Sequence, residues 1–213
     1  MIINIDGTDG CGKKTQTELL YKFLTDKGYK CKIVSFPNYE SPSSSLAKMY
    51  LGGAFESFGG VDSYQASAFY AVDRVATMKM VNVNDYDYVI LDRYVASNMI
   101  HQSARIKDKS KVDEFLHWVD NFEFNDLKLP RPDKTLFLDM PVEISLELAR
   151  SRGTLKNGQT HDILEEDSEH MKKAYNNAKY VANKFGWDVI NCYDKKLKTI
   201  DEIHKEILTK LGF

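Results

Sequence analysis

Five short apolar runs punctuate the chain: Ile2–Ile5, Cys31–Phe36, Tyr88–Leu91, Thr135–Leu138 and Trp187–Cys192. They are rich in β-branched or aromatic residues and are mostly continuous rather than alternating with polar ones. A strand with one wet face alternates, so these runs predict strands buried on both faces, as in a parallel sheet. Between them, apolar positions return at helical spacing. Leu19, Leu20, Phe23 and Leu24 line one helix that stops at Gly28, a residue suited to the left-handed turn after a helix end. Met171, Ala174, Tyr175, Ala178, Val181 and Phe185 line another that ends before Gly186. In the last helix, Thr199 and Glu202 form a capping box ahead of Ile203, Ile207 and Leu211. Strands alternating with helices predict an α/β fold with a parallel five-stranded sheet flanked by helices. No repeat or linker divides the pattern, so residues 1–213 read as one domain.

Composition narrows the function. With 43% hydrophobic and 28% charged residues over 213 positions, the chain is long enough for a large core and is neither disordered nor a disulfide scaffold. The balance of 29 basic against 31 acidic residues offers no general grip on nucleic acid or an anionic membrane. No apolar run approaches the ~18 residues of a membrane span, and the start of the chain does not read as a signal peptide. Three cysteines without metal-ligand spacing suit a reducing compartment, and the cytoplasm is expected. Only Arg74, Arg93, Arg105, Arg131, Arg150 and Arg152 carry the guanidinium that grips phosphate bidentately, so each position matters.

Two segments read as loops: residues 37–60, with Pro37, Pro42, three consecutive serines and four glycines, and the polar residues 151–162. The sharpest motif follows the first strand. Gly7, Thr8, Asp9, Gly10, Cys11, Gly12, Lys13 and Lys14 spell G-x4-G-K and lead into a helix near Thr15, the strand–loop–helix setting of a phosphate-binding loop. Its glycines let backbone N–H groups curl around a phosphate, the helix terminus adds positive potential, and Lys13 reaches the outer phosphates from an expected place on exposed loop surface. Lys14 stands where such loops carry a hydroxyl metal ligand, and Thr15 is turned by about 100°. Cys11 fills a small-residue slot, with a low thiol pKa expected from the helix terminus.

Asp92-Arg93-Tyr94 closes the third strand, which puts Arg93 at the carboxyl edge beside the phosphate loop. There it reads as a phosphate ligand ahead of a structural partner for Asp92. Tyr70 and Arg74 share one helix face at i and i+4. They suit a nucleobase held by stacking and hydrogen bonds, and equally a core tyrosine beside a cation; on spacing alone the second reading is simpler. His101, His117, His161, His170 and His204 show no ligand spacing and read as solvated or structural. Tyr64, Phe69, Met78 and Met80 read as core or subunit interface.

Taken in order, these motifs resemble the thymidylate kinase family over nearly the whole chain. The resemblance rests on Ile5 to Gln16, Phe36-Pro37-Asn38-Tyr39, Tyr70 to Arg74, Asp92 to Asn98, Phe137-Leu138-Asp139, Arg150 to Gly153, and Asp162 to Glu165. It implies a P-loop kinase fold with a small lid near 151–165, transfer of the γ-phosphoryl group of ATP to dTMP, and a homodimer. ATP would lie on Gly7 to Thr15, with Arg150 near the adenine and Arg152 near the transferring phosphates. Phe36, Pro37 and Tyr39 would wall the acceptor nucleotide, Tyr70 would stack on thymine, and Arg74 would bond a thymine carbonyl. Ser97 and Asn98 would lie near the base edge, and Arg93 would clamp the dTMP phosphate. Asp9 would face the acceptor or help place Mg²⁺, with Asp92 and Glu165 behind it through water; Asp162 and Glu165 would turn toward the acceptor. Lys13, Arg93, Asp9, Arg150 and Arg152 form the implied catalytic set. Two other functions compete: a kinase for another nucleoside monophosphate or deoxynucleoside, and a nucleotide-binding regulator without catalysis, supported by Lys14 alone.

Overall fold

The computed structural model describes residues 1–151 and 161–213, with the side chains of 149–168 outside that description. Five parallel strands, β1 (Ile2–Asp6), β2 (Cys31–Ser35), β3 (Tyr88–Asp92), β4 (Lys134–Asp139) and β5 (Asp188–Asn191), form a sheet in the order β2-β3-β1-β4-β5. The apolar runs place all five strands. β1, β3 and β4 each extend to an aspartate, Asp6, Asp92 and Asp139, that hydrophobicity alone does not include. β1 lies between β3 and β4, with Ile5 opposite both Asp92 and Leu136, so the loops after β1 and β3 emerge side by side. Crevices at such carboxyl edges are where open α/β sheets bind ligands.

Around the sheet are α1 (Lys13–Asp26), α2 (Ser45–Leu51), α3 (Ser63–Lys79), α4 (Val95–His101), α5 (Val112–Asp120), α6 (Val142–Ser151), α7 (His161–Lys184) and α8 (Ile200–Leu211). Successive strand residues point to opposite faces and join different cores. Ile3 and Ile5 pack with Leu20, Leu24, Ile190 and Ile207. On the other face, Val89 and Leu91 pack with Tyr94, Phe115, Leu116 and Val119. Gly28 adopts φ 89° after α1, and the Thr199–Glu202 box caps α8. A second box, Asp62 with Gln65, starts α3.

Two features beyond the hydrophobic pattern position the site. α5 runs on into a π-helical turn, Asn121–Asp126, whose Glu123 is wholly buried. α7 is fastened to α4: the Asn177 side-chain amide donates to the Ile100 carbonyl at 2.9 Å and the Met99 carbonyl at 3.3 Å. These carbonyls belong to the last turn of α4, where no intrahelical partner exists.

Candidate active site

The phosphate loop takes its shape from glycine. Gly10 and Gly12 have φ of 82° and 94°, and a Cβ on Gly10 would come 2.4 Å from the Ser145 carbonyl oxygen of α6. The loop therefore has no space for a side chain there, and its backbone is free to approach a ligand. Lys13 is not on exposed surface, as the sequence suggested, but 6% exposed. Its ammonium donates to the Gly7 carbonyl at 2.8 Å and the Thr8 carbonyl at 2.7 Å, within 4.0 Å of the Asp9 carboxylate. The loop wraps around its own lysine. Lys14 points to solvent, 3.9 Å from Glu18 on the next turn. Thr15 is half-buried. Cys11 fills the small slot, but burial raises its thiol pKa, correcting the expected reactivity. At a buried position the cost of a bare thiolate outweighs the helix terminus.

Arg93 takes φ 64°, a left-handed conformation that costs a non-glycine residue about 1–2 kcal/mol. Its N–H still donates to the Ile5 carbonyl at 3.2 Å, so the strained residue remains tied to β1. Its guanidinium pairs with the Asp9 carboxylate, not with adjacent Asp92. Burial opposes charge on Asp9, yet the Arg93 and Lys13 cations hold its carboxyl well below the usual range. Asp6, wholly buried, goes the other way because desolvation dominates. It accepts the Gly7 N–H at 2.8 Å, and the Ser97 hydroxyl lies 2.9 and 3.0 Å from its two oxygens. Ser97 thus braces the root of the loop, its hydroxyl bonded to Asp6, while the residue itself lines the cleft. A buried carboxylate needs such a donor more than a solvated ligand does.

From Asp9 and Arg93 a cleft of about 870 Å³ extends past Phe36, Pro37, Tyr39, Tyr70, Arg74, Ser97 and Asn98. It brings together every acceptor-side residue named from sequence, except Asp162 and Glu165, whose side chains lie outside the described residues. The same is true of Arg150; Arg152 and most of the expected lid are not described at all. Buried Asp73 holds the near wall, accepting the Asn38 N–H at 2.8 Å and the Ser43 hydroxyl at 2.6 Å. The Phe36–Pro37 peptide is cis.

The far wall holds residues the sequence did not single out for this site. Glu123 accepts from Arg74 Nε at 2.6 Å and Nη2 at 2.7 Å, and from Asn98 Nδ2 at 2.9 Å. One signal could have found it: Val112, Phe115, Leu116 and Val119 keep a helical core period, and position 123 continues it with an acid. Tyr50 of α2 packs edge-on against Tyr70 at 6.0 Å, and Arg105 lies 5.4 Å from the Tyr50 ring while contacting its hydroxyl. His101 and His170 also line the cleft, their rings stacked 6.3 Å apart. Burial, with the Arg93 and Lys13 cations, pushes the His101 pKa down to about 3, so the ring is neutral near pH 7. Tyr64, by contrast, packs against Phe115 and Trp118, Met78 is core, and Met80 is exposed.

The arrangement is a phosphate-binding loop opening on the cationic end of a deep cleft whose other end is aromatic and amide-lined. That is the layout required to hold two phosphorylated molecules end to end. Comparison with known proteins places the chain in a family. The family profile described as Thymidylate kinase matches residues 5–207. A thymidylate kinase of Mycobacterium tuberculosis is 33% identical over 176 residues, covering 81% of each chain. A probable thymidylate kinase of Pyrococcus horikoshii is 30% identical over 211 residues, covering 97% of this chain and 93% of the relative. Among solved structures, a thymidylate kinase from Candida albicans superposes with a TM-score of 0.70 over 99% of this chain and 90% of its own. At 21% identity that likeness speaks for the fold.

Proposed function

The chain belongs to the thymidylate kinase family, and we propose on that premise that it phosphorylates dTMP to dTDP with ATP, using the residues described above. The observation that carries the residue-level reading is the continuity of the site. Lys13 and Arg93 flank Asp9 at one end of a single cleft, and Tyr70, Arg74 and Asn98 line its other end.

The acceptor phosphate is already a nucleophile, so no strong base is required. The protein has to align two anions and neutralise the equatorial oxygens of the transferring group. Lys13 leaves the Gly7 and Thr8 carbonyls for the donor's outer phosphates. Arg93 leaves Asp9 for the acceptor phosphate, its planar fork taking two oxygens. Tyr70 stacks on the base, and Phe36, Pro37 and Tyr39 close the wall around the sugar. Arg150, and Arg152 within a lid near 151–165, are proposed to complete the charge and exclude water, with Asp162 and Glu165 turned to the acceptor.

Mg²⁺ is the proposed metal, and it supplies charge neutralisation across the donor phosphates. The residues fit it in the way that ion is usually held. Among the described residues no group of three or more ligating side chains exists. Mg²⁺ commonly keeps several waters and takes one or two carboxylates plus substrate phosphates. Asp9 and Asp92 offer those carboxylates, Asp92 half-buried within electrostatic reach of Arg93 and Lys13. A homodimer through α3 is also proposed, supported by the exposure of Val72 on it and of Met80 just past its end. No described helix is long and apolar enough to cross a membrane, and the proposed compartment is the cytoplasm.

A panel of dTMP, dUMP, UMP, dCMP, dGMP and thymidine, each with ATP and Mg²⁺, tests the reading. The highest kcat/KM is expected with dTMP. A clear preference for another acceptor, or no transfer to any, overturns it.

A further inference from the structure

Three side chains from three separate elements meet at the base end of the cleft with almost no solvent exposure. Arg74 comes from α3, Asn98 from α4 and Glu123 from the π-helical turn after α5; they are 2%, 2% and 0% exposed. Glu123 lies between the other two. It binds Arg74 through Nε and Nη2, and its Oε1 also accepts from Asn98 Nδ2. The second N–H of the Asn98 amide goes to the Ser67 carbonyl at 3.1 Å. Arg74 Nη1 lies 3.3 Å from the Tyr94 carbonyl.

The hydrogen-bond inventory fixes what remains. A carboxylate beside a guanidinium only accepts, and so does a carbonyl. With acceptors on both sides, the Asn98 amide has a single orientation: its NH₂ faces Glu123 and Ser67, and its oxygen is left for the cleft. Arg74 has five N–H groups, of which three are engaged, so only donors remain for the cleft. The wall therefore offers a donor beside an acceptor, in a fixed order.

Resting on the function proposed above, we propose that Glu123 is the positioning residue that sets base selectivity, by locking the Asn98 amide and aiming Arg74. The edge so presented matches an imide, in which a ring N–H lies beside a carbonyl, as in thymine and uracil. It opposes the 4-amino edge of cytosine at both positions, acceptor to acceptor and donor to donor. Glu123 touches no substrate and acts through the two residues that do. A neutral amide at 123 can donate as well as accept, which lets Asn98 turn over and present its NH₂ instead.

The experiment compares dTMP with 5-methyl-dCMP, which keeps the methyl group and changes only the reading edge. In the unaltered protein kcat/KM should favour dTMP by about 10⁴, as in sites that reject a substrate lacking a required hydrogen bond. In Glu123→Gln that ratio should fall at least tenfold while KM for ATP stays unchanged. A folded variant with the ratio intact, or with KM for both substrates rising together, overturns the proposal. Glu123→Asp keeps the charge but withdraws the carboxylate, and its ratio should fall in the same direction. A crystal structure of the unaltered protein with dTMP decides the matter even if neither variant folds. Glu123 within hydrogen-bond distance of Asn98 Nδ2, with the Asn98 oxygen on the ring N–H, supports the proposal; an amide turned the other way sinks it. Unaltered protein with no activity on dTMP defeats the proposed function itself, whereas dTMP activity with an unmoved ratio defeats this inference alone.

Discussion

The two ends of the cleft are built on different principles. The phosphate loop is local, with Gly7 to Gly12 leading into Lys13 at the start of α1, and Arg93 joins it from the end of β3, 84 positions from Asp9. The base end is assembled at long range, with Arg74 and Glu123 separated by 49 positions and Asn98 and Glu123 by 25. A phosphate is the same on every nucleotide, so a reusable loop suffices for it. A base must be told from other bases, which takes buried side chains whose orientation is fixed by a third party. Damage at the loop should therefore appear in the rate, damage at the base end in acceptor affinity and selectivity, and damage at Arg93, the proposed holder of the acceptor phosphate, in both.

The largest effect should come from Lys13→Ala. Removing one donor aimed at developing charge costs about 10²–10³ in kcat elsewhere, and a loss of that order or greater is expected here. Because Lys13 is buried and binds two loop carbonyls, a drop in thermal stability should accompany it. A variant that keeps half its kcat at saturating substrates would break the contrast between the two ends. Next comes Arg93→Lys, in which the charge is kept but the planar fork is lost. KM for dTMP should rise about tenfold or more with a lower kcat, read in parallel assays; an unchanged pair would reduce Arg93 to a structural partner of Asp9.

Tyr70→Ala sharpens the comparison from the other side. Base–aromatic stacking is worth roughly 1–3 kcal/mol in single-strand binding proteins. KM for dTMP should rise accordingly while KM for ATP barely moves. Equal losses for both would mean a general packing defect. The last comparison concerns His101, between the two ends, and is read in stability rather than in catalysis. Its folded pKa of about 3 lies below the ordinary 6.5, so below pH 6.5 the unfolded chain binds a proton that the fold refuses. Stability should fall as pH drops from about 6.5 toward 3, by at most about 1.4 kcal/mol per pH unit from this group. Denaturant melts across that range should show a shallower decline in His101→Gln, and parallel curves would remove His101 as the cause.

The same contrast explains what could be read from the sequence. β1 and the loop after it are contiguous, so hydrophobicity and glycine spacing identify them together. Arg93 is legible because a parallel strand delivers its end to the edge where β1 delivers its own. Tyr70 and Arg74 are visible as a pair, but nothing local says whether they face the core or a cleft. Arg74 is held by Glu123, and that residue carries only a broken helical period as its sign, while Tyr70 packs against Tyr50 of α2. The burial of Lys13 escaped for a related reason: motif spacing names the residue but not the carbonyls it folds back on. Tyr50 reaches the cleft on α2, just after a proline- and serine-rich segment that Asp73 ties down at Asn38 and Ser43, a tertiary event with no local signature.

The Arg93–Asp9 pair has a consequence for the company this site keeps. A bare guanidinium at the mouth of a cleft would act as an ion trap, holding whatever chloride or inorganic phosphate the solution supplied. With Asp9 already in place, the site would behave as an ion exchanger if Arg93 takes the acceptor phosphate as proposed, each arriving anion displacing a tethered carboxylate. A small anion gains little from that trade, because it brings nothing else to bind. A nucleotide brings a base that stacks and hydrogen-bonds several ångströms away, and this remote contact tips the exchange. On the proposed function, selectivity against simple salts would then rest at the phosphate end on Asp9, a residue that yields its place.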